Sequence, residues 1–214
     1  MFLVVGLGNP GREHEHDRHN VGFVVIDALA RQLGGAEFKS KWNAHFARAS
    51  LGGHEVVLLK PQTYMNLSGE SVQPAAAFFK VPPAEVLVVH DEIDLPFGEQ
   101  RLKLGGGHAG HNGVRHIIER LGTPEFVRLR VGIGRPPVGF RGDDGAATRS
   151  PHDGAATRSP HDGAATRTWV LSGFDAPQRA ELPGVVDRAT DAIARVVKGG
   201  LSAAMNVANS REKR

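Results

Sequence analysis

Residues 86–96 read Val-Leu-Val-Val-His-Asp-Glu-Ile-Asp-Leu-Pro. Val86–Val89 is an unbroken apolar run with no alternation, the pattern of a strand buried on both faces. Such a strand needs helices above and below it, so this run decides the fold class. Residues 2–5, Phe-Leu-Val-Val, are a second short apolar run, ending at Gly6. Residues 20–33 place Val21, Val24, Val25, Ala28, Leu29 and Leu33 on one helical face, with Asp27, Arg31 and Gln32 opposite. His45–Leu51 and Glu55–Lys60 flank Gly52-Gly53 and predict a hairpin that Pro61 stops. Residues 70–80 predict a helix, with Pro74 tolerable only near the first turn. Gln100–Leu104 and Phe126–Ile133 predict strands around a helix at Val114–Leu121. Ala176–Val197 and Leu201–Asn209 predict two C-terminal helices separated by Gly199-Gly200. Strands alternate with helices, so the expected fold is α/β, a single domain over 1–214 with a twisted mixed sheet sandwiched between helices.

The 214 residues are 40% hydrophobic and 23% charged, ordinary for a soluble globular chain. No apolar run approaches the ~18 residues of a membrane span, and Met-Phe-Leu-Val-Val lacks the basic flank of a signal peptide. The absence of cysteine excludes disulfides and thiolate metal sites and fits a cytoplasmic location. Net charge is only +3, yet residues 101–141 hold eight Lys or Arg against Glu119 and Glu125. That local basic field favours an anionic partner such as nucleic acid, unless distant acidic segments neutralise it.

Gly105–Gly113 reads Gly-Gly-Gly-His-Ala-Gly-His-Asn-Gly, a loop with few side chains of its own. Its backbone is free to approach a ligand, and only His108, His111 and Asn112 project hydrogen-bonding groups from it. The alternative is a flexible connector. Gly6-Leu7-Gly8-Asn9-Pro10-Gly11 matches G-x-G-x-x-G, but Pro10-Gly11 and the polar run 12–18 delay the helix beyond the glycines. A dinucleotide fingerprint needs the helix to start inside them, so this reading is set aside. Asn9 instead stands as a polar residue in a tight turn after a buried strand. His19 falls about where an N-cap would, and Asp91 follows the buried run at 86–89 directly. If the first strand lies beside 86–89, Asn9, His19 and Asp91 converge at one sheet edge. A carboxylate paired with an imidazole fixes its tautomer and raises its basicity, which suits a general base. Tyr64-Met65-Asn66-Leu67-Ser68-Gly69 follows another strand end. With Asn9, Asn66 and Asn112 as amides and no obvious Ser or Cys nucleophile, water is the expected attacking species, and the amides would orient substrate or stabilise an oxyanion. Metal is not expected: there is no HExxH, and His108-x-x-His111 on a glycine loop is a poor clamp.

One segment breaks the pattern. The nonapeptide 144–152 recurs at 153–161, and 162–167 begins a third copy. The unit has no large apolar residue, so 143–167 is expected to be a disordered surface insertion. Alternatively, Arg149, Arg158 and Arg167 extend an RNA-binding surface.

Taken together, GLGNPG at 6–11, RHNVG at 18–22, PQTYMNLSG at 61–69, HDEIDLP at 90–96, GGGHAGHNG at 105–113, RLRVGIG at 128–134, VLSGF at 170–174 and AAMN at 203–206 resemble bacterial peptidyl-tRNA hydrolase. The motifs occur in family order across nearly the whole chain. The resemblance implies a monomeric, cofactor-free and metal-free esterase that cleaves peptide from the terminal ribose of tRNA. It makes His19 the catalytic base and Asp91 its partner. It gives Asn9, Asn66 and Asn112 the placing of water, peptide and terminal nucleotides. Met65, with Tyr64 beside it, would line the peptide channel, and His111 would belong to a mobile lid. Lys103 and Arg130 match the clamp for the tRNA 5′ phosphate. His14 stands where the family usually has tyrosine at the substrate wall, and the nonapeptide insertion replaces a short connection. The alternative is a catalytically silent RNA-binding relative of the same fold. The full set His19, Asp91, Asn9, Asn66 and Asn112 favours the enzyme.

Overall fold

The computed structural model describes residues 1–138, 140 and 160–209. Seven strands form one sheet: β1 (Phe2–Gly6), β2 (Lys39–Lys41), β3 (Ala44–Leu51), β4 (His54–Pro61), β5 (Val86–Glu92), β6 (Gln100–Leu104) and β7 (Val127–Gly132), in the order β2-β3-β4-β1-β5-β7-β6. β1 is parallel to β4 and β5, and β5 to β7. The pairs β2–β3, β3–β4 and β6–β7 are antiparallel, so the sheet is mixed. Among the described residues the helices are α1 (Val21–Gln32), α2 (Gly69–Phe78), α3 (Asn112–Leu121), α4 (Pro160–Val170), α5 (Ala176–Gly199) and α6 (Leu201–Ala208).

The α/β sandwich expected from the sequence is present. Every residue of β5 is buried. Successive strand side chains point to opposite faces. Val4, Leu87, Val89 and Leu129 therefore pack with Val25 and Leu29 of α1 and with Ala189 and Ile193 of α5. Leu3, Val5 and Val88 pack on the other side with Val72 and Ala75 of α2 and Ile117 of α3. Each Val, Leu or Ile among them contributes roughly 1.5–3 kcal/mol on burial.

Several elements differ from expectation. Pro74 is the sixth residue of α2, not a first-turn residue. Its missing N–H would have bonded the carbonyl of Glu70, an exposed residue where water can replace it. β2, Lys-Ser-Lys, has no apolar pattern and is held by pairing with β3. The turn between them places Trp42 and Asn43 at φ 54° and 50°, a two-residue hairpin without the usual glycine. Of the segment expected to be a disordered insertion, 143–159 lies outside the described residues. Pro160–Arg167 instead opens α4. Its last turn carries Trp169, whose indole Nε1 donates to Gly134 O at 2.8 Å.

Two glycines bring α1 onto the sheet. A Cβ on Gly22 would lie 2.4 Å from Leu7 N and 2.6 Å from Val89 O, and one on Gly6 would lie 2.2 Å from Gly22 O. The glycine-rich first turn thus serves helix–strand contact. On the outer side of β6, Asn209 accepts from Leu102 N at 2.8 Å and donates to Leu102 O at 2.9 Å.

Candidate active site

Because β1 lies beside β5, the turn after β1 and the end of β5 open on the same sheet edge. A short 3-10 turn, Arg18–Asn20, precedes α1 and carries His19 over that edge. His19 is not itself the N-cap of α1; Asn20 is. The Nδ1 of His19 lies 2.7 Å from Oδ1 of Asp91. His111, at the N-cap of α3, places Nε2 3.0 Å from the same oxygen. Val114 N–H donates to His111 Nδ1 at 3.3 Å, so that nitrogen is an acceptor and Nε2 carries the proton given to Asp91. Both imidazoles therefore donate to one carboxylate oxygen. For His19 this fixes the tautomer with Nδ1 protonated and the Nε2 lone pair available, and Nε2 has no hydrogen bond among the described residues.

The electrostatics agree. Burial alone would push the Asp91 carboxyl up, but His19 and His111 outweigh it and hold it well below the usual carboxylate range. Burial pushes the His19 imidazole down, yet the Asp91 charge and hydrogen bond win and leave it above its ordinary value. His90 is a different case. Burial, then the neighbouring His111, holds it well below the usual range, so it stays neutral. Its Nδ1 donates to Asp91 O at 2.7 Å and its buried Nε2 has no partner. Of the three histidines, only His19 combines a supporting carboxylate with an unused nitrogen.

Asn9 is buried and held from three directions. Its Oδ1 accepts from Met65 N at 2.8 Å, which leaves its Nδ2 as a donor. Its backbone N–H donates to Asn20 Oδ1 at 2.8 Å, and its carbonyl accepts from Asn20 Nδ2 at 3.0 Å. Met65 is buried, and a Cβ on Gly113 would lie 2.6 Å from its Sδ, so the start of α3 abuts it. Asn112 is exposed as the first residue of α3, and Asn66 is half-buried in the 3-10 turn Met65–Leu67; neither is bonded to the His19–Asp91 pair. Tyr64 is 53% exposed. His14 pairs with Asp17 at 2.7 Å rather than with the histidine pair.

Lys103 and Arg130 sit on neighbouring antiparallel strands, with Lys103 opposite Arg128 and Arg101 opposite Arg130. All four share one face of the β6–β7 ribbon. Much of the basic excess is used internally. Arg130 binds Glu92 at 2.9 Å, and Arg135 binds Asp94 at 2.7 Å. Arg128 is buried and donates to the carbonyls of Gly105 and Gly107, rooting the glycine loop. Lys103 is exposed. Arg141 lies outside the described residues. Sequence reading missed Asn20, which holds the Asn9 backbone, and Arg18, which binds Ser172 and Gln178. Both stand inside RHNVG, but nothing in their spacing marks their partners.

The peptidyl-tRNA hydrolase family model matches residues 3–146. The chain belongs to this family. Relatives named peptidyl-tRNA hydrolase include one from Sorangium cellulosum, 52% identical over all of this chain and 86% of its own length. Another, from Nocardia farcinica, is 46% identical over 95% of this chain and 94% of its own. The crystal structure of peptidyl-tRNA hydrolase from Acinetobacter baumannii superposes with a TM-score of 0.81 at 36% identity, covering 98% of this chain and 95% of that one. This family member is built on one mixed sheet, and among its described residues no helix is long and apolar enough to cross a membrane.

Proposed function

We propose that the chain hydrolyses the ester between a peptide and the terminal ribose of tRNA, with His19 as general base. The His19 Nε2 takes a proton from water as the oxygen attacks the ester carbonyl carbon. Asp91 balances the imidazolium that forms. The Asn9 Nδ2 donor suits the oxyanion of the tetrahedral intermediate. Collapse of that intermediate breaks the bond to the ribose oxygen, which takes the proton back from His19. Free peptide and reusable tRNA leave. Met65, Tyr64, Asn66 and His14 are assigned to the peptide side, and Asn112 and His111 to the terminal nucleotides and the loop over them. Lys103 and Arg130 are assigned to the 5′ phosphate. The chemistry uses side chains alone, by one chain acting as a monomer. A substrate made in translation places it in the cytoplasm.

The observation that carries this reading is the unused Nε2 of His19 behind a Nδ1 tied to buried Asp91. The test is incubation with N-acylated aminoacyl-tRNA, following release of free tRNA. Release that vanishes in His19→Ala supports the reading. Tight tRNA binding without release would make the chain a silent RNA-binding relative.

A further inference from the structure

The motif VLSGF at 170–174 has no role in the chemistry above, yet it docks directly against the turn that carries His19. Arg18 N donates to Ser172 O at 3.0 Å, and Asp17 forms an isolated bridge with Gly173. The Arg18 side chain, only 3% exposed, extends the contact. Its Nη1 donates to Ser172 Oγ at 2.6 Å and Ser172 O at 3.1 Å, and its Nη2 to Gln178 Oε1 at 3.1 Å. The guanidinium carbon lies 3.6 Å from the centroid of the Trp169 ring. Trp169 is itself tied to Gly134 O.

Among the described residues no carboxylate lies within ion-pair distance of this buried cation, and its Nε has no partner. A buried guanidinium held by neutral acceptors is a costly way to stabilise a core, and an apolar side chain would cost less. What the arrangement does supply is a fixed geometry. Planar, forked donors and a stacked face define the Arg18 position in every direction. The next residue is His19.

We infer that Arg18 is a positioning residue, its guanidinium locked between Ser172, Gln178 and the Trp169 ring so that the adjacent His19 meets Asp91 in line. This rests on His19 being the base. Two motifs far apart in sequence, RHNVG and VLSGF, are then halves of one clamp. Arg18→Lys keeps the charge but loses the fork and the stack.

The test compares Arg18→Lys, Trp169→Phe and His19→Ala with the parent on N-acylated aminoacyl-tRNA across pH. For Arg18→Lys, kcat should fall about 10- to 100-fold with KM nearly unchanged, the scale of a misplaced catalytic group. The acid limb of kcat/KM should move down by roughly one pH unit, because a His19 further from Asp91 is less basic. Trp169→Phe keeps a ring but loses the indole bond to Gly134 O, so its limb should move in the same direction as in Arg18→Lys and by less. A limb shift larger than that of Arg18→Lys overturns the inference. A folded Arg18→Lys with parental kcat and limb overturns the inference. So does a kcat loss with an unmoved limb, since the His19–Asp91 pair is then intact. If Arg18→Lys does not fold, Ser172→Ala removes one acceptor and should show the same limb shift at smaller amplitude; an unmoved limb there overturns the inference. Retained turnover in His19→Ala would sink the base assignment instead, a separate outcome.

Discussion

Asn20 grips the backbone of Asn9 at both polar atoms, accepting from its N–H at 2.8 Å and donating to its carbonyl at 3.0 Å. A turn with no regular structure of its own is thereby fixed to the start of α1, and the Asn9 carboxamide with it. Asn20→Ala should leave two buried backbone groups without partners. The expected cost is about 1–3 kcal/mol for each, read as a lowered midpoint in urea unfolding. Turnover should fall as well, because Asn9 loses its frame. Parental stability in Asn20→Ala would show that water substitutes for the clamp.

His19→Ala should lower turnover by about 10²–10⁴-fold, the usual contribution of a general base. The fold should survive, since His19 lies at a sheet edge outside the three hydrophobic clusters. Circular dichroism with single-turnover kinetics on the same preparation separates the two effects.

The pH profile follows from the raised His19 and lowered Asp91. His19 works only when Nε2 is bare, so turnover rises as pH climbs through the His19 pKa. Because Asp91 holds that value up, the rising limb should sit above the ~6.5 of a free imidazole. Asp91 stays ionised throughout this range. Asp91→Asn removes the supporting charge, so the limb should move to lower pH while the plateau drops. A limb that stays in place in Asp91→Asn would separate the carboxylate from the base.

Lys103→Ala and Arg130→Ala should both weaken tRNA binding, and the losses should shrink as salt rises, because phosphate contacts act through counterion release. The two should differ in stability. Arg130 is the partner of Glu92, a side chain only 7% exposed, whereas no ion pair of Lys103 is present among the described residues. Arg130→Ala should cost roughly 1–3 kcal/mol from the stranded carboxylate, and Lys103→Ala close to nothing. Thermal melts beside filter-binding titrations at two salt concentrations test both halves. Salt-independent losses would move these residues out of the RNA contact.

Gly22→Ala should be far more damaging than its size suggests. The added methyl meets Leu7 N, Leu7 O and Val89 O at 2.4–2.6 Å, all backbone atoms of the sheet edge. Overpacking of this kind costs about 1–3 kcal/mol or more, and here it also pushes the His19 turn away from Asp91. Gly199→Ala, which meets nothing within 4 Å, is the control. Equal melting points for the two variants would refute the close-contact account.

Two buried strands were readable because residues 2–5 and 86–89 are apolar runs without interruption, and their adjacency, only a condition in the sequence, is met by the pairing of β1 with β5. The convergence of His19 on Asp91 follows from it, since Asp91 lies near the end of β5 and the turn carrying His19 belongs to the connection from β1 to α1. Polar elements were harder to read. β2 exists through pairing with β3, and its turn uses Trp42 and Asn43 where glycine is the usual signal. The helical start of α4 within the repeat depends on Trp169 finding Gly134 and Arg18, partners far away in sequence. Charge counting overstated the free basic surface, because Arg128 and Arg130 spend their donors on loop carbonyls and on Glu92. The doubling of imidazoles on Asp91 was also invisible, since only the folded loop brings His111 there.

The bidentate contact of Asn209 with Leu102 occupies the outward hydrogen-bonding groups at the middle of β6. An amide side chain there copies what the next strand of a sheet would offer, and so blocks it. On the far side, β2 presents Lys39 and Lys41, both exposed. A second molecule adding to either border would meet blocked amides or like charge. Both margins of the sheet thus carry features that disfavour its growth from chain to chain.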